Sequence, residues 1–217
     1  MFKVNRTYPA PISLSKMVNY DSADVHDALQ SCFFGKCYIC ETKSPLDINI
    51  EHFKPKGSDN KRTYDWDNLY LSCSRCNNIK LSKYDNLLDC CKEKVWDRIK
   101  LLPGFSSRPK KVTVKALFDD EKTKTTAELL DKVYNSDHTI SKRLTSAALR
   151  SQITKATQKL IKNINEYYEE DTPLQQKELS IEKMKMLIRR EAAYSSFCRW
   201  IIMEDDELSI ILEPFMD

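Results

Sequence analysis

The chain has 217 residues, 41% hydrophobic and 31% charged, enough to bury a core as one medium domain or as a small module with a helical body. Its 35 basic and 32 acidic residues leave a net charge of +3, too small a surplus to identify a polyanionic partner. No apolar run reaches membrane-span length, residues 1–11 lack the features of a secretory signal, and eight Cys beside only three Gly in a chain this long argue against a secreted disulfide scaffold, so a reducing, cytoplasmic location is expected.

The first expected helix runs from Ser22 to Phe33, where Val25, Ala28, Leu29 and Cys32 recur at helical spacing, Asp21 or Ser22 can cap, and Gly35 can end it. Asp47 to Phe53 alternates, Ile48 and Ile50 against Asn49 and Glu51, and reads as a strand closed by Pro55 and Gly57. A basic loop, Lys54 to Arg62, leads to a second strand or turn-strand over Tyr64–Leu71, and Ser74 can cap a helix carrying Cys76, Asn77 and Lys80. Beyond Tyr84, Val112 and Val114 mark a lone strand, and Ile140, Leu144, Ala148, Ile153, Leu160, Ile161 and Ile164 mark one long amphipathic helix that Pro173 ends. Ile181, Met184, Leu187, Ile188, Tyr194, Phe197 and Ile201 trace a second helix, which can pair antiparallel with the first or lie against the module. The expected class is α+β, with an N-terminal segment 1–36, a strand-strand-helix module 37–84 and a mostly helical region 85–217.

Cys37-Tyr38-Ile39-Cys40 and Cys73-Ser74-Arg75-Cys76 each bring two thiolates to one side of a tight knuckle, and four soft ligands in a tetrahedron favour a structural zinc ion. The alternatives are accidental pairs of buried cysteines or a redox dithiol, which lacks its surrounding strand-helix-strand pattern here. Cys32, Cys90, Cys91 and Cys198 obey no spacing rule and read as free thiols. Between the pairs stands Glu51-His52. A lone His is more often structural, but an acid beside it, with Asn68 and Asn77 following, offers oxygen ligands for a hard cation and an imidazole able to activate water. Neighbours in a flat strand face opposite sides, so Glu51 and His52 can converge only at a strand end, which the turn at Lys54-Pro55 can supply.

This order of residues resembles the HNH endonuclease superfamily, the ββα-metal nucleases. Glu51-His52 sits at the acid-His pair, Asn68 at the middle Asn, Asn77 at the final His or Asn, and Lys80 at the basic position three residues on. The resemblance implies a zinc-stabilised ββα-metal module embedded in a mostly helical chain. It also implies that His52 deprotonates water, that Glu51 and Asn77 ligate one catalytic Mg2+ or Mn2+, and that Asn68 holds the motif's loop or His52 in place. Glu in place of Asp, and Asn77 in place of His, are the departures from the usual form. A narrower resemblance rests on Gly35–Glu41, Glu51–Lys56, Tyr64–Leu69 and, more loosely, Tyr194–Trp200. It is to the HNH subunit of Septu-type and retron-associated anti-phage systems, and implies an ABC-type ATPase partner and sometimes a retron reverse transcriptase with its RNA-DNA product.

Lys54, Lys56, Lys61, Arg62, Arg75, Lys80 and Lys83 flank the expected centre and would contribute salt-sensitive phosphate contacts, unless they form a merely solvated face. Tyr64 and Trp66 fit packing over a small module better than base stacking. DNA is the expected substrate, with RNA such as tRNA as the variant reading, because chemistry at the phosphodiester barely reads bases. The competing class is a non-catalytic zinc adapter for nucleic acid or protein. The helices after residue 120 exceed what a small module needs, so part of their apolar surface is expected to meet another subunit.

Overall fold

The structure is a computed structural model that describes residues 1–56, 60–137 and 140–216; the expected turn residue Gly57 lies outside them. A single turn, α1 (Ile12–Ser15), precedes α2 (Ala23–Cys32), which buries Val25, Leu29 and Cys32 as their spacing requires. Ser22 occupies the N-cap without a capping bond and donates instead to Asp24 at 2.8 Å. The helix ends before Gly35: Phe34 takes the left-handed position at φ 56°, and the Gly35 N–H closes back on the Gln30 carbonyl at 2.9 Å, a Schellman ending.

Strand β1 (Ile48–His52) is followed by a one-turn helix, α3 (Asn60–Thr63), and pairs antiparallel with β2 (Leu69–Cys73), with His52 opposite Leu69. The second strand begins later than the aromatic run Tyr64–Leu71 implies. Asp65 caps a 3₁₀ turn over Trp66–Asn68, accepting from the Asp67 N–H at 3.0 Å, and this local bond outcompetes extension. Helix α4 (Ser74–Lys80) follows β2 directly, with Cys73 rather than Ser74 at its N-cap. Ser74 is already helical, and its hydroxyl accepts from Asn49 Nδ2 at 2.6 Å.

Val112 and Val114 do not mark a lone strand. β4 (Thr113–Ala116) pairs antiparallel with β3 (Ile99–Leu102), a short partner in which only Ile99 and Leu101 are buried. Helix α5 (Glu121–Asn135), which apolar spacing did not bring out, starts at Asp120, whose carboxylate accepts from the Thr123 N–H at 3.0 Å. The long helix is α6 (Ile140–Tyr168), and after Pro173 comes α7 (Leu174–Ile188), which packs on it. Glu166 ties the two, accepting from Gln176 at 2.7 Å and Ser180 at 2.9 Å.

The stripe Ile181–Ile201 is not one helix. α7 stops at Ile188, and α8 (Ser195–Met203) starts after Tyr194 in the left-handed region, φ 57°. Both helices contact α6, so the apolar rhythm reads straight across a break imposed from elsewhere: Ser195 and Ser196 at the start of α8 bond to buried Glu41. α9 (Asp206–Leu212), capped by Asp205, leads into a 3₁₀ turn over Glu213–Phe215. One buried core runs from Phe2 through α2, the cysteines and β2 to α5 and to Leu149 and Ile153 of α6. A second joins Leu160, Met184, Ile188, Ile202 and Leu208. No helix of the described residues is long and apolar enough to cross a membrane.

Candidate active site

Cys37, Cys40, Cys73 and Cys76 are all buried, and their sulfurs lie within 4.8 Å of one another, Cys40 and Cys73 at 3.9 Å. A tetrahedron with Zn–S bonds of about 2.3 Å has S···S edges of roughly 3.8 Å, so the donor set and its spacing fit zinc. The first pair sits on a turn in which the Glu41 N–H reaches the Cys37 carbonyl at 2.9 Å; the second spans the end of β2 and the first turn of α4. Glu41, next to Cys40, is fully buried and meets the Met1 amino group at 2.9 Å and Lys36 at 3.4 Å. Burial alone would raise its carboxyl; these two cations and the Ser196 hydroxyl hold it below the usual range.

Glu51 and His52 stand at the end of β1, and both line one cavity of about 350 Å³ together with Asn77, Lys80, Lys56 and Tyr20. The strand end thus brings the neighbouring side chains to a shared space. Glu51 is 4% exposed. Tyr38 donates to its Oε1, and Lys80 Nζ lies 3.4 Å from its Oε2. Burial pushes the Glu51 carboxyl up to about 7, against the opposing pull of Lys80 and Tyr38. Lys80 is itself buried and donates to the His52 carbonyl at 3.0 Å. It is therefore an internal charge of the site rather than a surface cation.

The His52 ring places Nε2 3.0 Å from the Thr63 carbonyl. A carbonyl only accepts, so Nε2 carries the proton in the neutral ring and Nδ1 is the basic nitrogen. Burial, with the charges of Lys56 and Lys80, lowers the His52 pKa despite the Thr63 bond, which acts the other way. Asn68 does not enter the cavity lining. It staples the loop instead: Nδ2 donates to the carbonyls of Lys54 and Arg62, both at 3.0 Å, and Oδ1 accepts from the Lys54 N–H at 2.7 Å. The carbonyl that holds His52 belongs to the residue after Arg62.

The expected phosphate-binding cations separate. Lys56 reaches the cavity, Lys54 is exposed with its ammonium on the Asp85 carbonyl, and Lys61 and Arg62 are exposed beside a groove lined by Tyr64 and Trp66. Arg75 points elsewhere. Its guanidinium donates to the Val133 carbonyl at 2.6 Å, Ser146 at 2.8 Å and Thr145 at 3.1 Å, and so joins α4 to α5 and α6. Trp66 is buried, with Nε1 on the Thr7 carbonyl at 3.2 Å, which is packing rather than a stacking platform.

Two residues of the site escaped the sequence reading. Tyr38 carries a signal of its own, since it stands between the paired Cys37 and Cys40 in a turn that is buried throughout. Tyr20 carries none: it precedes α2, far along the chain from the cavity it lines.

Residues 37–83 match the family model described as HNH endonuclease. No curated protein matches the chain. The matched segment runs from the first zinc-type cysteine past Lys80 and so contains Glu51, His52, Asn68 and Asn77.

Proposed function

We propose that the chain is an HNH endonuclease that hydrolyses nucleic-acid phosphodiester bonds, with His52 as general base. The observation that carries this is His52 Nε2 bound to the Thr63 carbonyl, which leaves Nδ1 as the acceptor, in the cavity shared with Glu51, Asn77 and Lys80. The carboxylate of Glu51 and the amide of Asn77 line one small space and are hard oxygen donors, a set that fits Mg2+ or Mn2+. Glu51 and Asn77 would hold such a cation, whose positive charge would stabilise the phosphoryl oxygens and the leaving 3′ oxygen. His52 Nδ1 takes the proton of the attacking water, the Thr63 bond keeping the ring in the tautomer that can accept it. Lys80 offsets the buried charge of Glu51, and Asn68 fixes the loop that carries the Thr63 carbonyl. Lys56, Lys61 and Arg62 attract the phosphate backbone. DNA is the first substrate to test, with RNA as the variant.

His52→Ala should melt as the parent does yet lose cleavage of DNA in Mg2+ by a factor of about 100 or more. Equal cleavage by parent and variant in matched Mg2+ would sink the mechanism, and no cleavage of either DNA or RNA by the parent favours the zinc-adapter reading.

The resemblance to Septu-type and retron-associated subunits supports a finer reading, the nuclease effector of a cytoplasmic anti-phage complex with an ABC-type ATPase and, in some systems, a retron reverse transcriptase with its RNA-DNA product. Exposed apolar side chains on the helical body, among them Leu174, Leu179, Met186 and Ile210, agree with a docking role. A fully active monomer that ignores a co-expressed ATPase would remove that reading.

A further inference from the structure

Tyr20 lies outside the matched segment, in the stretch leading into α2, yet its ring centroid is 4.8 Å from that of His52 with the planes at 77°. The Tyr20 hydroxyl accepts from Lys56 Nζ at 3.0 Å, and the same ammonium stands 4.1 Å from the ring centroid. Tyr20 is fixed from its other side. Its neighbour Asp21 bonds His26 of α2 at 2.5 Å and donates its backbone N–H to Asn19 Oδ1 at 2.9 Å.

The tyrosine meets a ring that, among the described residues, makes a single hydrogen bond. One bond from Nε2 to the Thr63 carbonyl selects the tautomer but leaves the imidazole free to rock about that bond. A flip about the Cβ–Cγ axis would take Nε2 off the Thr63 carbonyl, exchange Nδ1 for a carbon and release the tautomer. An edge-to-face aromatic neighbour has a preferred geometry and obstructs both motions.

We propose that Tyr20 is a positioning residue for His52, holding the imidazole so that Nδ1 faces the cavity, with Lys56 clamping the tyrosine in turn. The inference rests on the reading of His52 as general base. It makes the competence of the HNH segment depend on a side chain that the segment does not contain, so residues 37–83 are an incomplete site without the chain that precedes α2.

The test compares Tyr20→Ala, Tyr20→Phe and His52→Ala in the full chain with zinc bound, on DNA in Mg2+, after melting curves show that each is folded. Tyr20→Ala should lower kcat about tenfold, because a misplaced base loses its alignment with the reacting atoms, and leave KM within about twofold, because ground-state binding is untouched. Tyr20→Phe keeps the ring and should restore kcat to within about threefold of the parent.

A second readout is independent of cleavage. Ring-nitrogen NMR, with the His52 signals assigned by their loss in His52→Ala, should show the Nε2–H tautomer in the parent and Tyr20→Phe, and a tautomer mixture in Tyr20→Ala. Parent-like kcat with a parent-like tautomer signal in Tyr20→Ala overturns the proposal, as does Tyr20→Phe behaving like Tyr20→Ala. If the parent cuts nothing, the nuclease reading fails while the tautomer comparison still decides the role of Tyr20.

Discussion

At the scale of single residues, the site is governed by which polar atoms are shut away from water. Glu51 is buried against Tyr38 and Lys80, and an oxygen stripped of its partner there is poorly compensated by water. Tyr38→Phe removes one hydroxyl and no ring. It should cost about 2 kcal/mol in stability and lower the cleavage rate, because the Glu51 carboxylate loses one of the two contacts that orient it. Tyr8→Phe is the contrast: Tyr8 also bonds a carboxylate, Asp67 at 2.6 Å, but is 66% exposed, and its loss should stay within about 0.5 kcal/mol. Urea melts of the two variants measure the difference; equal effects would mean that Glu51 is better hydrated than its burial indicates.

Among elements, the placement of α4 decides much. It carries Cys76, Asn77 and Lys80, contacts β1 and β2 on one side and is tied to α5 and α6 through Arg75. Basic residues near the centre therefore divide into two kinds that charge alone does not separate. Arg75→Ala removes the guanidinium bonds to the Val133 carbonyl and Ser146, and should destabilise the chain by about 1–3 kcal/mol with little change in how nucleic-acid affinity responds to salt. Arg62→Ala, at an exposed side chain, should do the reverse: near-parent stability, with the slope of log affinity against log salt reduced by about 1. Titrations at several salt concentrations beside thermal melts check both, and a reduced salt slope for Arg75→Ala would return that residue to the nucleic-acid surface.

For the whole molecule, the zinc-type cysteines are not a detachable clip. They belong to the core that also contains Phe2, α2, α5 and part of α6, and Glu41 beside them anchors the start of α8 by way of Ser195 and Ser196. Stripping the metal leaves four thiols packed in a space shaped for a cation, and the binding free energy of a structural zinc is folding free energy. Chelation should therefore lower the melting temperature of the entire chain in a single transition. Fluorescence of Trp200, on the helical side, should fall in step with that of Trp66, beside the module. Metal analysis before and after chelation, with the melts, tests this; a module that unfolds while the helical body stays intact would show two independent units.

The sequence by itself determined the residue pattern on which the proposed chemistry rests. The cysteine spacing, Glu51-His52 at a strand end, and Asn77 and Lys80 on one helix are local patterns, set by short-range geometry that residue order encodes. Helix α2, strand β1 and the break at Pro173 were legible for the same reason. Only the tertiary structure decided where local signals were silent or misleading. Tyr64–Leu71 looked extended until Asp65 capped a turn. One apolar stripe became α7 and α8 because buried Glu41 claims Ser195 and Ser196. Arg75 turned from phosphate to a helix junction, and Tyr20 came to His52 from outside the segment. In each of these last three the deciding contact joins residues distant along the chain. The free energy of such a contact depends on what is buried around it, which no window of sequence contains.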